Sequence, residues 1–266
     1  IFAFVESPHQ AGVFWSGSDD GLVNLSQDGG ETWTNITPPT LPEWSQIAMI
    51  ELSPHDPATA YVAATKYKLD DTRPSLYRTT DFGATWTEMT NGIPADDFTR
   101  VIREDPNQAG LLFAGTETSL YVSFNAGDSW QKFQANLPVV PYYDLLIKDD
   151  DLIAATHGRS FWILDDLSQV RQLAADLSGE SAHLLKPGTK VRLGSPFGGR
   201  QPNPGKKYQL SVGAAVTYTE SKSDSGQTVR SFLDAGQNPP GGLRVNYYLA
   251  EEPDSEVTLT FLDSEG

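Results

Sequence analysis

The residues of this sequence that could do chemistry are carboxylates, a few cations and a set of aromatics, gathered in short segments between β-like runs. His157-Gly158-Arg159 is the most distinctive segment. An imidazole and a guanidinium across a glycine suit an anionic group; the competing reading pairs Arg159 with a local acid and gives Gly158 to the turn. Asp149-Asp150-Asp151 has the ligand type of a calcium loop, but three acids between apolar runs also make a solvated turn, which is the favoured reading. The histidines at 9, 55, 157 and 183 fall in separate turns without metal-ligand spacing. With no cysteine, disulfides, thiolate catalysis and cysteine zinc sites are excluded. No phosphate loop or nucleophile elbow occurs. The sequence therefore calls for no metal and no cofactor.

Composition narrows the partners. Nineteen basic residues against 35 acidic ones give a formal charge of −16, which repels phosphate backbones and anionic lipid and excludes nucleic acid as a partner. No apolar run reaches 18 residues, so no membrane span is predicted. The first residues lack a charged leader and a cleavage site, so no signal sequence is expected among them. Gly 23 and Pro 18 in 266 residues suit short strands joined by many turns.

Internal repetition identifies the elements that position these groups. Ser26-Gln27-Asp28-Gly29-Gly30-Glu31-Thr32-Trp33 recurs as Thr79-Thr80-Asp81-Phe82-Gly83-Ala84-Thr85-Trp86 and as Ser123-Phe124-Asn125-Ala126-Gly127-Asp128-Ser129-Trp130. The spacing, roughly 45–55 residues, is that of a four-stranded blade. Asp or Asn accepts hydrogen bonds from the turn backbone and glycine supplies positive φ. Asp28, Gly30, Trp33, Asp81, Gly83, Trp86, Asn125, Gly127 and Trp130 are therefore assigned structural roles, with the three tryptophans expected to be buried. Turns at Ser7-Pro8-His9, Ser53-Pro54-His55 and Asp105-Pro106-Asn107 keep the same register. In a fourth copy Asp166 aligns with Asn125, but the glycine and tryptophan are lost.

The motif resembles the Asp-box (BNR) repeat of sialidases, xyloglucanases and sortilin-type propellers. The resemblance implies an all-β fold of four-stranded antiparallel propeller blades. First strands are expected near 1–6, 46–52, 98–104 and 142–148, second strands near 11–17, 59–65, 110–116 and 151–156, and third strands near 21–26, 75–80, 119–124 and 160–165. Four four-stranded blades are predicted over 1–166, although no clear fourth strand is visible in the last. This arrangement reads as a fragment of a larger ring, completed by the rest of its own propeller or by another chain.

The propeller is expected over 1–177 and a linker over 178–206. The start of an Ig-like β-sandwich is expected over 207–266. Alternation in Tyr208–Val212, Leu243–Leu249 and Val257–Leu262 supports strands there, and Gln169–Ala175 suits a short helix or an edge strand. The run Ala154–Asp166, Pro239-Pro240-Gly241-Gly242 and Tyr247-Tyr248-Leu249 look like a large bacterial family of exported, sortilin-like BNR-repeat proteins. These are often labelled glycosyl hydrolases and carry a C-terminal Ig-like domain of the flagellar hook-capping type. That resemblance implies an exported location: periplasm, cell surface or exterior.

In such blades the repeated turns lie at one face, and the loops entering first strands, with those joining second to third strands, lie at the other. The ligand-binding candidates on the second face are Trp44, Arg100, Tyr142, Tyr143, His157 and Arg159, with Arg100 and Arg159 as anchors for an anionic group. Sialidase chemistry would need an arginine cluster and a tyrosine nucleophile, and the arginines here are scattered. The catalytic aspartates of xyloglucanases match no residue pair. The sequence thus favours a non-catalytic binding or assembly module for a protein, peptide or glycan. The alternatives are part of a glycoside hydrolase and a structural subunit of a larger complex.

Overall fold

The computed structural model describes residues 1–133, 135–173, 179–188, 205–211, 214–233 and 243–262. The chain forms two compact units, residues 1–186 with 247–266, and residues 187–246.

The first unit is built of antiparallel sheets in which each strand pairs with the next. Blade 1 comprises β1 (Ala3–Glu6), β2 (Phe14–Gly17), β3 (Val23–Ser26) and β4 (Thr34–Asn35). Blade 2 comprises β5 (Gln46–Leu52), β6 (Ala60–Lys66), β7 (Asp71–Thr79) and β8 (Thr87–Glu88), with a single 3-10 turn at Tyr67–Leu69. Blade 3 comprises β9 (Thr99–Glu104), β10 (Leu112–Thr116), β11 (Leu120–Ser123) and β12 (Gln131–Lys132). Blade 4 has three strands, β13 (Tyr142–Lys148), β14 (Asp151–Thr156) and β15 (Phe161–Leu164). The expectation of four complete blades is corrected here: three are four-stranded, and helix α1 (Ser168–Leu173) follows the last.

The reason lies in the fourth turn. Leu164 stands opposite Leu152 as Ser123 stands opposite Leu112, so a leucine replaces the turn's hydroxyl residue. Asp166, two residues on, accepts instead from the Ser168 N–H (3.2 Å) and hydroxyl. It leads into α1 rather than closing the repeated turn. Leu167 and Val170 then pack into the core between blades 3 and 4.

Three apolar cores hold the blades together. Trp15, Val23 and Leu25 of blade 1 pack on Ile47, Ile50 and Val62 of blade 2. Tyr61, Ala63 and Leu76 pack on Ile102, Leu112 and Tyr121, and Phe113, Leu120 and Val122 on Tyr142, Leu145 and Leu152. The alternation of a strand sends successive side chains to opposite faces. Blades 2 and 3 therefore supply one core from each face, which is why Ala60–Ala64 of β6 and Leu112–Gly115 of β10 are apolar.

The repeated turns share one hydrogen-bond pattern. Asp81 Oδ1 accepts from Thr79 Oγ1 (2.8 Å) and Thr85 N (2.8 Å), Asp81 Oδ2 accepts from Thr85 Oγ1 (2.6 Å), and Gly83 N donates to Thr79 Oγ1 (2.9 Å). Asp28 repeats it with Ser26 and Thr32, and Asn125 with Ser123 and Ser129, except that Asn125 Nδ2 donates to Ser129 Oγ. Gly83 has φ +83° and Gly127 φ +89°, and a Cβ would lie 2.7 Å from Ile36 Cδ1 or 2.3 Å from Met89 Sδ. Glycine is needed there for the turn and for contact with the preceding blade.

The tryptophans make that contact. Trp86 Nε1 donates to Ile36 O (2.7 Å) and Trp130 Nε1 to Met89 O (2.8 Å), each across to the preceding blade. Trp130 is buried and Trp86 half-buried. Trp33 departs from the expected burial at 43% exposed; its Nε1 bonds Gly30 O of its own turn (3.1 Å).

Beside these turns lie those joining first and second strands. His9 Nε2 meets Ser53 O (3.0 Å) and His55 Nε2 meets Asp105 O (2.8 Å), while Asn107 Nδ2 donates to Asp150 Oδ1 (3.2 Å). Each side chain reaches the equivalent turn one blade on. Arg171 of α1 extends the series by pairing with the fully buried Asp105 (3.0 Å) and with Asp150 (2.5 Å). The Asp149–Asp151 segment is thus the turn expected of it, and no metal-binding cluster occurs among the described residues.

Also in this unit, β16 (Ala182–Leu185) is described after α1. The second unit holds a three-stranded antiparallel meander of β17 (Lys207–Ser211), β18 (Ala214–Lys222) and β19 (Thr228–Phe232). Lys207 and Arg230 flank Glu220 within it. The last strand, β20 (Asn246–Leu249), pairs with β16. The expected strand over Val257–Leu262 is not formed. Most of the expected linker, and Pro239–Gly242, lie outside the described residues.

The tryptophan geometry predicts unequal substitutions. Trp130→Ala should cost about 3–5 kcal/mol in denaturant unfolding, the range for emptying a buried aromatic site. Trp33→Ala should cost roughly 1 kcal/mol or less. Equal losses would refute the interblade role.

The turns also predict an acid response. Hydrogen bonds from Thr32, then Ser26, hold Asp28 down at about 2, and those from Thr85 lower Asp81. A depressed carboxylate contributes stability above its ordinary value, about 4, and loses it as pH falls toward the folded value. Asp28→Asn with Asp81→Asn, copying the natural Asn125, should flatten the fall in Tm between about pH 4 and 2. An unchanged slope would place the acid sensitivity elsewhere.

Candidate binding face

The opposite ends of the blades carry the loops that enter first strands and those that join second to third strands. Two devices shape this face. Trp44, at φ 64°, donates its N–H to Asp20 O of blade 1 (3.0 Å), leaving its indole 65% exposed. The register of β13 on β14 shifts between Tyr142 and Asp144, and such a bulge re-aims a side chain.

That bulge separates two candidates. Tyr142 is fully buried, with its hydroxyl donating to Pro138 O (2.8 Å), so it supports the face from beneath and cannot touch a ligand. Tyr143 emerges half-exposed. Its ring lies 5.0 Å from His157, whose backbone N–H is held by Pro141 O (2.9 Å).

Arg100 sits at the centre. Its guanidinium carbon is 4.3 Å from the Tyr143 ring, 4.9 Å from Phe98 and 5.2 Å from Tyr67, with Tyr67 and Phe98 stacked at 4.8 Å and 8°. Nε and Nη2 both donate to Glu117 Oε2 (2.8 and 2.6 Å). The expectation of Arg100 as a free anion anchor is therefore corrected: its charge is matched by Glu117, and its plane spaces the aromatics of blades 2 and 4. Arg159 is exposed, with Nη1 on Gly158 O (3.2 Å), and no contact joins it to this cluster.

Beside Tyr67 opens a cleft of about 210 Å³ lined by Asp19, Trp44, Gln46, Thr65, Tyr67 and Lys68. Lys68 Nζ donates to Gln46 Oε1 (3.0 Å). Thr65 is 2% exposed, and its Oγ1 has no partner among the described residues. A buried hydroxyl without a partner is a group that a ligand can satisfy.

Several acids near this face are structural. Asp97 is buried and accepts from Thr116 Oγ1 (2.8 Å), Thr118 N (3.0 Å) and Tyr121 Oη (3.2 Å). Burial, and then the Asp97 charge, push the Tyr121 hydroxyl up to about 12. Asp71 pairs with Arg73, and Asp144 with Arg103. Four expected residues thus lie on the surface of the face, Trp44, Arg100, Tyr143 and His157. Tyr67 and Phe98 were missed, although Tyr67 adjoins Lys68 and Phe98 stands two residues before Arg100 on the strand alternation.

No family model matches the chain, and no curated protein does. Among solved structures it is similar to the GH74 xyloglucanase from Xanthomonas campestris, at 16% identity and TM-score 0.50, over 88% of this chain and 38% of that one. It is also similar to the Niastella koreensis GH74 enzyme, at 15% and 0.49, over 94% and 36%. YCF48 bound to D1 peptide matches at 16% and 0.48, over 62% and 51%. The chain spans about half the length of YCF48 and less of the GH74 enzymes. At such identity the likeness is one of fold, and the fold is that of antiparallel β-propeller blades. Among the described residues no helix is long and apolar enough to cross a membrane.

Proposed function

We propose that the chain is a non-catalytic binding module that takes a peptide or glycan on the face of Trp44, Tyr67, Arg100, Tyr143 and His157. The observation that carries this reading is the run of ring contacts from Tyr67 and Phe98 through Arg100 to Tyr143 and His157, beside a cleft lined by Trp44 and Tyr67 whose buried Thr65 hydroxyl lacks a partner among the described residues. Aromatic faces with a few fixed polar groups are what such sites present. The repeated turns are read as Asp boxes, and the chain as a relative of exported sortilin-like BNR proteins with an Ig-like second domain. The turn sequences support this reading. Hydrolysis of a glycan is the second reading, favoured by Asp19 lining the cleft with Trp44.

The test is a binding screen of the intact chain against peptide and oligosaccharide libraries. Trp44→Ala and Tyr143→Ala should each weaken the ligand found by about 10-fold or more, with Tm nearly unchanged. A ligand indifferent to both would refute the site. Release of reducing ends that is lost in Asp19→Asn would favour the hydrolytic reading.

A further inference from the structure

Blade 4 is one strand short, and the shortfall leaves a slot of defined chemistry. In blades 2 and 3 the tryptophan after the repeated turn donates to the preceding blade at Ile36 O and Met89 O. Phe133 is the third member of that series. The N–H groups of Ile36, Met89 and Phe133 donate to Val23 O, Leu76 O and Leu120 O at 2.8–2.9 Å. Leu41, Ile93 and Leu137 follow, each before a proline. By this register Leu120, Phe133 and Leu137 form a third indole slot, and these residues do line one apolar fissure, with Trp162 on its far side.

Nothing described fills it in the manner of the other two. The fourth turn has become the start of α1, and Trp162 Nε1 bonds Arg159 O (3.0 Å). Along β15, no strand pairs with the outer edge among the described residues. The chain's six tryptophans stand at 15, 33, 44, 86, 130 and 162, so no undescribed segment of it supplies another. Trp33 of a second copy immediately precedes β4, which already pairs with β3 in its own blade.

We propose that the edge of β15 is a docking site for a strand of another polypeptide carrying a tryptophan flanked by Ser or Thr. The strand runs antiparallel beside Trp162 and Ile163, the positions equivalent to Tyr121 and Val122, which pair with Lys132 and Gln131. Its indole enters the slot and donates to Phe133 O. Such strand addition takes affinity from main-chain hydrogen bonds and selectivity from one side-chain pocket. It also covers an edge that would otherwise present open ladder groups. The bound strand continues the interblade interface already made twice in this molecule.

The probe is a fluorescent peptide of this chain's own residues 83–92, which carries Thr85-Trp86-Thr87. Saturable binding to the intact chain is expected by anisotropy, weakened about 10-fold or more when the peptide's Trp86 is replaced by alanine. Hydrogen exchange should show peptide-dependent protection within 161–164. Equal affinity of the alanine peptide, absence of binding, or protection confined to the Trp44–Tyr143 face would overturn the proposal. So would self-association abolished by Trp33→Ala in a chain that binds no peptide.

Discussion

The interaction on which this architecture rests is the hydrogen bond from an indole N–H to a carbonyl of the preceding blade. A blade here has three or four strands of two to nine residues, far too little sheet to be stable alone. Its apolar faces become a core only when the next blade is held at the correct distance and rotation. Trp86 and Trp130 fix both, because the indole must reach one carbonyl while its ring fills the space beside Ile36 or Met89. The glycine three residues earlier is the complement of the same contact, since a side chain there would occupy the neighbour's place. Trp33 has the same turn, but its indole bonds Gly30 O of that turn and grips no other blade among the described residues. The motif alone therefore makes a turn, and the neighbour makes it a staple.

At one end of the blades Trp44 N bonds Asp20 O and Ile47 N bonds Ser18 O, but the side-chain staples of the repeat lie at the other. There the repeated turns close on the turns between first and second strands, as Gly29 N bonds Gly12 O, Phe82 N bonds Ala58 O and Ala126 N bonds Gly110 O. His9, His55, Asn107 and Arg171 then link each of those turns to a neighbouring blade. With that end committed to holding the sheets, the loops at the other are free of the repeat. They differ in length and sequence from blade to blade, and Trp44 and Tyr143 stand exposed among them.

Much of the fold was legible because its signals are local. The repeated turn marks the end of a third strand, and apolar runs such as Ala60–Ala64 and Leu111–Gly115 mark second strands buried on both faces. What was not legible depended on neighbours or on register. The sequence motif is the same at Trp33 as at Trp130, and only the blade before it decides burial. Tyr142 and Tyr143 are chemically alike, and a one-residue bulge against β14 sends one into the core and the other to the surface. Arg100 looked like an unmatched cation because Glu117 is distant in sequence and adjacent only across the β9–β10 pair. Of the last 60 residues, strands form at Lys207–Ser211 and Asn246–Leu249, within stretches where the sequence alternates. Val257–Leu262 alternates as well and forms no strand.

The charge balance bears on what the exposed face can recognise. A chain of charge −16 has few cations to offer, and in the blades most guanidinium groups are engaged. Arg73 pairs with Asp71, Arg78 with Asp128, Arg100 with Glu117, Arg103 with Glu51 and Asp144, and Arg171 with Asp105 and Asp150. At Arg100 an anionic ligand would have to displace Glu117 from a partly buried pair, leaving that carboxylate without its partner. Stacking on Tyr143 or Trp44, or a hydrogen bond to Thr65 Oγ1, requires no such exchange. Selection on this face therefore falls to ring contact and neutral hydrogen bonding. It should respond weakly to salt, because the electrostatic term that ionic strength screens is already satisfied within the chain.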